Sequence, residues 1–301
     1  MSGRSRGMAL IQALVIVAAI AAVATALLLR AEQARQRLEL RAGADQAALY
    51  LDSGVTLVRA VLDALPAEGA VHRRQGWAQP REGVVIDRGT LEWTVDDLQG
   101  RFNLSWLTED GTGAMRTAFL RLAADQGVPR SLASRIADAL GPDETDRARA
   151  TAPDAPPYLP LADPRQILPL AGDNADDLRP LLPFLSALPI EAEGNLNTLH
   201  PEVLRALLEG VDSGSLRLIE RRLADAPFDT VEDFQAWADE RLPPPVAQRL
   251  DGLGLAVRST NFLVTLTARL DTVVLRRSVV VNRDDDAQGR SVVVLSIPEP
   301  E

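Results

Sequence analysis

Met8–Leu29 reads MALIQALVIVAAIAAVATALLL, a run of 22 residues in which only Gln12 and Thr25 are polar. As a helix rising about 1.5 Å per residue it extends roughly 33 Å, enough to cross a bilayer core of ~30 Å. Arg4 and Arg6 precede the run, and Arg30 and Glu32 follow it. The basic leader is expected to stay on the cytoplasmic side while the rest is exported. A cleaved signal peptide is the alternative, because Ala22-Val23-Ala24 imitates a small-residue cleavage site. The run is long for such a peptide and continues through Leu27, Leu28 and Leu29.

Beyond the membrane the helix is expected to continue. Apolar residues recur at Ala44, Ala47, Ala48, Leu51, Val55, Val58, Leu62 and Leu65, spaced by threes and fours, so one stripe must pack against something. Arg35, Arg37, Glu39 and Arg41 cover the part nearest the membrane, and Pro66 with Gly69 ends the helix. A hairpin follows. Val84, Val85 and Ile86 lead to Asp87-Arg88-Gly89, after which Leu91, Trp93 and Val95 alternate with Glu92, Thr94 and Asp96, leaving one apolar face.

From about Gly113 to Leu250 the pattern is helical, with Ala114–Gln126 and Ser131–Leu140 as the first two segments and a proline-rich linker or docking strap at Pro153–Pro164. Asn197 and Thr198 are suited to cap a helix from Pro201 to Leu208. After Gly254 alternation of period two returns, in Phe262–Leu270, Val273–Val281 and Ser291–Ile297. The last turn of this meander holds Asp284, Asp285 and Asp286, hard oxygen ligands of the kind calcium takes; a solvated turn is the other reading.

Composition narrows the chemistry. There is no cysteine, and the only histidines are His72 and His200, both in loop-like sequence and expected at the surface, so a catalytic triad or a histidine metal site has little to draw on. No enzymatic role is expected. The net charge is −10, which disfavours nucleic acid. One segment still suggests it: Gly210, Gly214, Ile219 and Phe228–Phe234 loosely follow a helix-hairpin-helix pattern, as in a membrane-anchored DNA-uptake protein. Residues 195–250 carry six arginines against ten acids, which removes the electrostatic attraction.

Three features together resemble a known family. Gly7 followed by Met8, Ala9 and Leu10 resembles a type IV prepilin leader cut between Gly7 and Met8. Asp97-Leu98-Gln99-Gly100-Arg101-Phe102-Asn103-Leu104-Ser105-Trp106-Leu107 resembles the D-x-x-G-R-F-N-L-N-x-L signature of GspK, the minor pseudopilin family of type II secretion systems. Leu181–Pro189, Asn195-Leu196-Asn197-Thr198 and Pro201–Leu204 extend the similarity over essentially the whole chain. A tryptophan and a G-A-E-D element usual in the family are missing near Gly141–Asp146.

The resemblance implies an α+β fold: a pilin-like N-terminal transmembrane helix plus a small antiparallel sheet, with a large all-α insertion. The units would be a leader (1–7), a transmembrane part (8–29), the periplasmic half of the helix (30–66), a sheet domain (67–112 and 255–301) and an inserted helical domain (113–254). It implies a single-pass protein of the bacterial inner membrane, with a cytoplasmic N-terminus and a periplasmic body, that is cut by prepilin peptidase and methylated. The fifth mature residue is Gln12 where pilins carry glutamate, a departure associated with the subunit at the pseudopilus tip. The implied partners are GspI-, GspJ- and GspH-type minor pseudopilins, the major pseudopilin, secreted substrates and the secretin. Lateral contacts are expected along the alanine-rich apolar part of the helix, Ala9 to Ala26, through residues such as Leu14 and Val17.

Overall fold

The computed structural model describes residues 4–66, 69–108, 113–141, 161–208, 210–283 and 291–297, with side chains of the first helix from Leu14 onward. That helix, α1, runs unbroken from Arg4 to Asp63. Its N-terminal part, from Leu14 to residue 42, is exposed on every side, and one stripe of its C-terminal part is covered. Ala47, Leu51, Val58 and Leu62 are fully or almost fully buried, as the spacing of threes and fours requires.

They lie on a five-stranded antiparallel sheet ordered β1-β2-β5-β6-β7. Its strands are β1 (Arg81–Ile86), β2 (Gly89–Asp97), β5 (Asn261–Leu270), β6 (Val273–Arg283) and β7 (Ser291–Ile297). The predicted alternation sets its face: Leu91 and Val95 of β2, Val264, Leu266 and Ala268 of β5, and Val279 and Val281 of β6 form one apolar cluster with α1. Two central strands, β2 and β5, pair without a bulge from Gly89↔Leu270 to Asp97↔Phe262.

Small residues let the helix sit close. A Cβ added at Gly54 would meet Leu266 Cδ2 at 2.5 Å and Leu91 Cδ2 at 3.1 Å, so α1 crosses the sheet where it has no side chain. Lower down, Gly43 faces Val273; higher up, Arg59 and Asp63 bond Ser291, the residue opposite Arg283. Ascending α1 away from the membrane therefore follows β5 backwards, from Leu270 towards Asn261.

The helical block enters and leaves at that upper end, between β2 and β5. It contains α2 (Ala114–Asp125), α3 (Arg130–Leu140), the short α4 (Leu168–Ala171) and α5 (Ala175–Leu178), then α6 (Pro201–Leu207), α7 (Ser213–Asp225), α8 (Val231–Arg241) and α9 (Pro244–Asp251). A two-residue parallel pair, β3 (Phe102–Asn103) with β4 (Leu185–Ser186), ties its start to its middle. The core of the block takes in Phe102, Leu104 and Leu107 and ends at Leu255 and Val257, so it packs as a unit beginning before the expected residue 113. A second, small apolar contact lies on the back of the sheet, where Leu98 and Leu188 cover Val280.

Substituting Gly54→Val is expected to overpack this crossing and cost about 1–3 kcal/mol, read as a lower urea midpoint of the full-length chain in detergent. An unchanged midpoint would mean that the helix stands further from the sheet than described.

Candidate functional site

Where the block meets the sheet, the packing changes from apolar to polar. Asp97, the last residue of β2, is buried, and its carboxylate accepts from four donors. Oδ2 receives the hydroxyls of Thr198 and Ser259 and, at 3.0 Å, Asn195 Nδ2; Oδ1 receives the Gln99 amide at 2.9 Å. Three donors thus converge on Oδ2 and one reaches Oδ1, so both carboxylate oxygens are hydrogen-bonded. Asn195 Nδ2 also reaches Val71 O at 3.0 Å and Ser259 Oγ at 2.8 Å, sharing two hydrogens among three acceptors.

Gln99 is the second strut. Its Oε1 accepts from the backbone of Thr260 and Asn261, its Nε2 donates to Glu193 O, and its carbonyl accepts from Asn195 N. Gly100 follows because the chains touch there: a Cβ would stand 2.3 Å from Thr198 O. Val71 N bonds Val257 O and Arg73 donates to Thr198 O, which draws in the loop after α1. Four segments distant in sequence are thus tied by one buried network.

Burial pushes the Asp97 carboxyl above its ordinary value, against the opposing effect of the hydrogen bonds from Ser259, Thr198, Gln99 and Asn195. One expectation from sequence changes here. Asn197 and Thr198 do not cap α6, whose N-cap is His200 with no side-chain bond. Thr198 is taken by Asp97, and Asn197 clasps the backbone of Phe228, donating to its carbonyl and accepting from its amide, both at 2.8 Å. Both histidines are half-buried loop residues at the junction, partly exposed as expected, His200 with its side chain 37% exposed, its ring 4.7 Å from Phe184 and beside Glu202. Desolvation holds His72 below its ordinary pKa.

The helix-hairpin-helix segment also acquires a geometry. Asp212 caps α7 by accepting from the amides of Gly214 and Ser215, and Thr230 caps α8 by accepting from Asp233 N. The amides that would cradle a phosphate already hold a carboxylate and a hydroxyl. Asp212 is kept below its ordinary pKa, first by the Ser215 hydroxyl. Arg222 stacks on Phe228, 3.9 Å from the ring centre, instead of facing outward as a phosphate contact. A DNA-binding role has no support in this arrangement.

The two ends of the network are the two motifs read from the sequence, Asp97–Gly100 and Asn195–Thr198. Residues 100–190 and 195–255 each match a family described as type II secretion system (T2SS), protein K. The chain is 30% identical to a type II secretion system protein K of Klebsiella pneumoniae, with 89% of each chain covered. The chain belongs to the type II secretion system protein K family.

A second protein K, from Pseudomonas aeruginosa, is 30% identical over 76% of this chain and 75% of its own. The fold is similar to that of a chain in the crystal structure of the GspK-GspI-GspJ complex from enterotoxigenic Escherichia coli, with a TM-score of 0.66, 22% identity, and coverage of 88% of this chain and 100% of the other. As a protein K, this chain is a pseudopilin of type II secretion, and its long apolar α1 fits a single-pass anchor.

Of the residues singled out for assembly, Leu14 and Val17 are 69% and 65% exposed on α1. Gly7, Met8 and Gln12 lie on the backbone of α1, and their side chains are outside the described residues. Asp284, Asp285 and Asp286, the calcium candidates, also lie outside them. Further up α1, one flank is uncharged: Leu49, Ser53, Leu57, Ala60, Val61 and Ala64 are all exposed. The charges go to the other flank, where Asp52 meets Arg277 and Arg59 and Asp63 meet Ser291.

For Asp97, a folded pKa above the unfolded one means that its pH-linked contribution is whole below the ordinary carboxylate range and is lost as pH rises through the raised value. Asp97→Asn turns an NH₂ towards groups that donate and is expected to cost about 1–3 kcal/mol near pH 4. The gap between the parent and this variant should narrow as pH climbs from about 4, in denaturant melts at fixed salt. A gap that widens with pH would reverse the assignment.

Proposed function

We propose that the chain is the minor pseudopilin at the tip of the type II secretion pseudopilus, where it helps initiate assembly and export folded proteins through the outer membrane. The observation that carries this reading is the position of the helical block. It is attached through Asp97 and Asn261 to the end of the sheet farthest from the anchor, above the C-terminus of α1. A subunit stacked on that end would meet the block rather than α1 and the sheet. Such a chain starts or ends a fibre.

Gln12 supports the same place, because a carboxylate at that depth is costly unless an amine of a further subunit pairs with it, and a tip subunit has none above it. GspI, GspJ and GspH types are the natural neighbours, since the crystallised complex of similar fold joins GspK, GspI and GspJ. The exposed apolar length of α1 and its uncharged flank suit parallel helices of such subunits. Orientation follows the prepilin-like leader, with the body periplasmic, and the role involves no catalytic step.

Two outcomes test this. Mass spectrometry of the mature protein should give a chain starting at N-methylated Met8; an intact leader, or a start near Thr25, would overturn pseudopilin processing. In purified filaments the chain should be rare relative to the major pseudopilin, and Gln12→Glu alone should not raise its share. A ratio near one to one would refute tip placement.

A further inference from the structure

Just above the membrane span the charges of α1 are sorted by side. Arg30, Arg37 and Arg41 are separated by seven and four residues, which on a helix of 3.6 residues per turn keeps them within about 40° of one another. All three are exposed, and none is paired with a described residue. The acids of the same segment are engaged elsewhere: Glu32 and Glu39 both bind Arg35, at 2.8 and 2.6 Å. In a chain of net charge −10, this leaves three free positive charges in a row.

Their height fits the lipid headgroups. Arg30 directly follows Leu29, the last residue of the apolar run. At about 1.5 Å per residue the Cα of Arg37 stands roughly 12 Å above Leu29, and that of Arg41 roughly 18 Å. Helical side chains lean towards the helix N-terminus and cover the turn below their own Cα, and here that direction is towards the membrane. Arg30 and Arg37 therefore place their guanidiniums within the headgroup layer, which adds roughly 5–7 Å to each side of the hydrocarbon. Arg41 remains within about one screening length, ~8 Å, of it.

The sidedness is unusual as well. Arginines beside a span normally concentrate on the cytoplasmic flank, and these three are on the flank that carries the body. The sheet does not reach down to cover them, since Gly43 is where α1 first meets it, at Val273. While the anchor spans the bilayer, what stands at that level is the membrane surface itself.

We infer that Arg30, Arg37 and Arg41 form a binding stripe for anionic phospholipid headgroups. The stripe lies on the same side of α1 as Val55, which packs on the cluster between α1 and the sheet, so headgroup contact fixes the rotation of the anchor and the side over which the body stands. This goes beyond the tip reading and rests on the single-pass anchor with the proposed periplasmic body.

The test uses the full-length chain in nanodiscs. It has no cysteine, so Ala34→Cys gives a single site beside the stripe for a bimane label. Quenching by headgroup-spin-labelled phosphatidylglycerol is compared with quenching by equally labelled phosphatidylcholine. Phosphatidylglycerol should be preferred by roughly fivefold per arginine at low salt, and Arg30→Gln with Arg37→Gln and Arg41→Gln should bring the ratio to unity without changing the melting temperature of the body. A ratio of unity in the parent chain, or an unchanged preference in the triple variant, overturns the inference. If the triple variant keeps its lipid preference but loses co-purifying pilin-like subunits, the stripe serves a protein surface instead. The start of the mature chain, measured separately, distinguishes this failure from failure of the pseudopilin reading.

Discussion

Everything above the membrane depends on closing a very long loop. Asp97 ends one central strand, and Ser259, 162 positions later, bonds its carboxylate just before the neighbouring strand begins. Loop-closure entropy grows slowly with length, so an insertion of this size is tolerable, but the two ends must be held together by contacts that a shifted register would not satisfy. A buried carboxylate meets that demand. Its desolvation is opposed only by donors that come from three separate stretches of chain, and losing any of them leaves the buried group more costly still.

The same junction makes one body of two cores. The apolar cluster between α1 and the sheet and the larger cluster inside the helical block share no buried residue. Between them lie the polar network and a small apolar contact on the back of the sheet. Orientation of the block relative to the anchor is thus set by directional hydrogen bonds, which specify an angle more sharply than apolar contact does. For a subunit proposed to finish a fibre, that angle decides what the distal end presents.

The anchor helix serves several surroundings along one continuous element. It is apolar all round in the span, charged just above it, and amphipathic where it crosses the sheet. Along the upper part its charged flank is satisfied by β6 and β7, leaving the uncharged flank open. Gly54 is the residue that permits the crossing, since side chains from two strands occupy the place of its missing Cβ.

The elements and the family were legible in the order of residues alone. The apolar run gave the span, spacings of three and four gave the buried stripe of α1, and alternation gave the faces of β2, β5 and β6, because burial on a regular element leaves a local period. The Asp97–Leu107 and Asn195–Thr198 motifs marked the family, yet no local pattern said that they touch. It took the folded chain to establish that Thr198 donates to Asp97 rather than capping a helix, that Asn197 holds Phe228, that both histidines are half-buried, and that the helical block packs from Phe102. A polar side chain carries the same capacity for hydrogen bonds in a cap, at the surface or in a buried knot, and what selects among these is the arrival of partners from far along the chain.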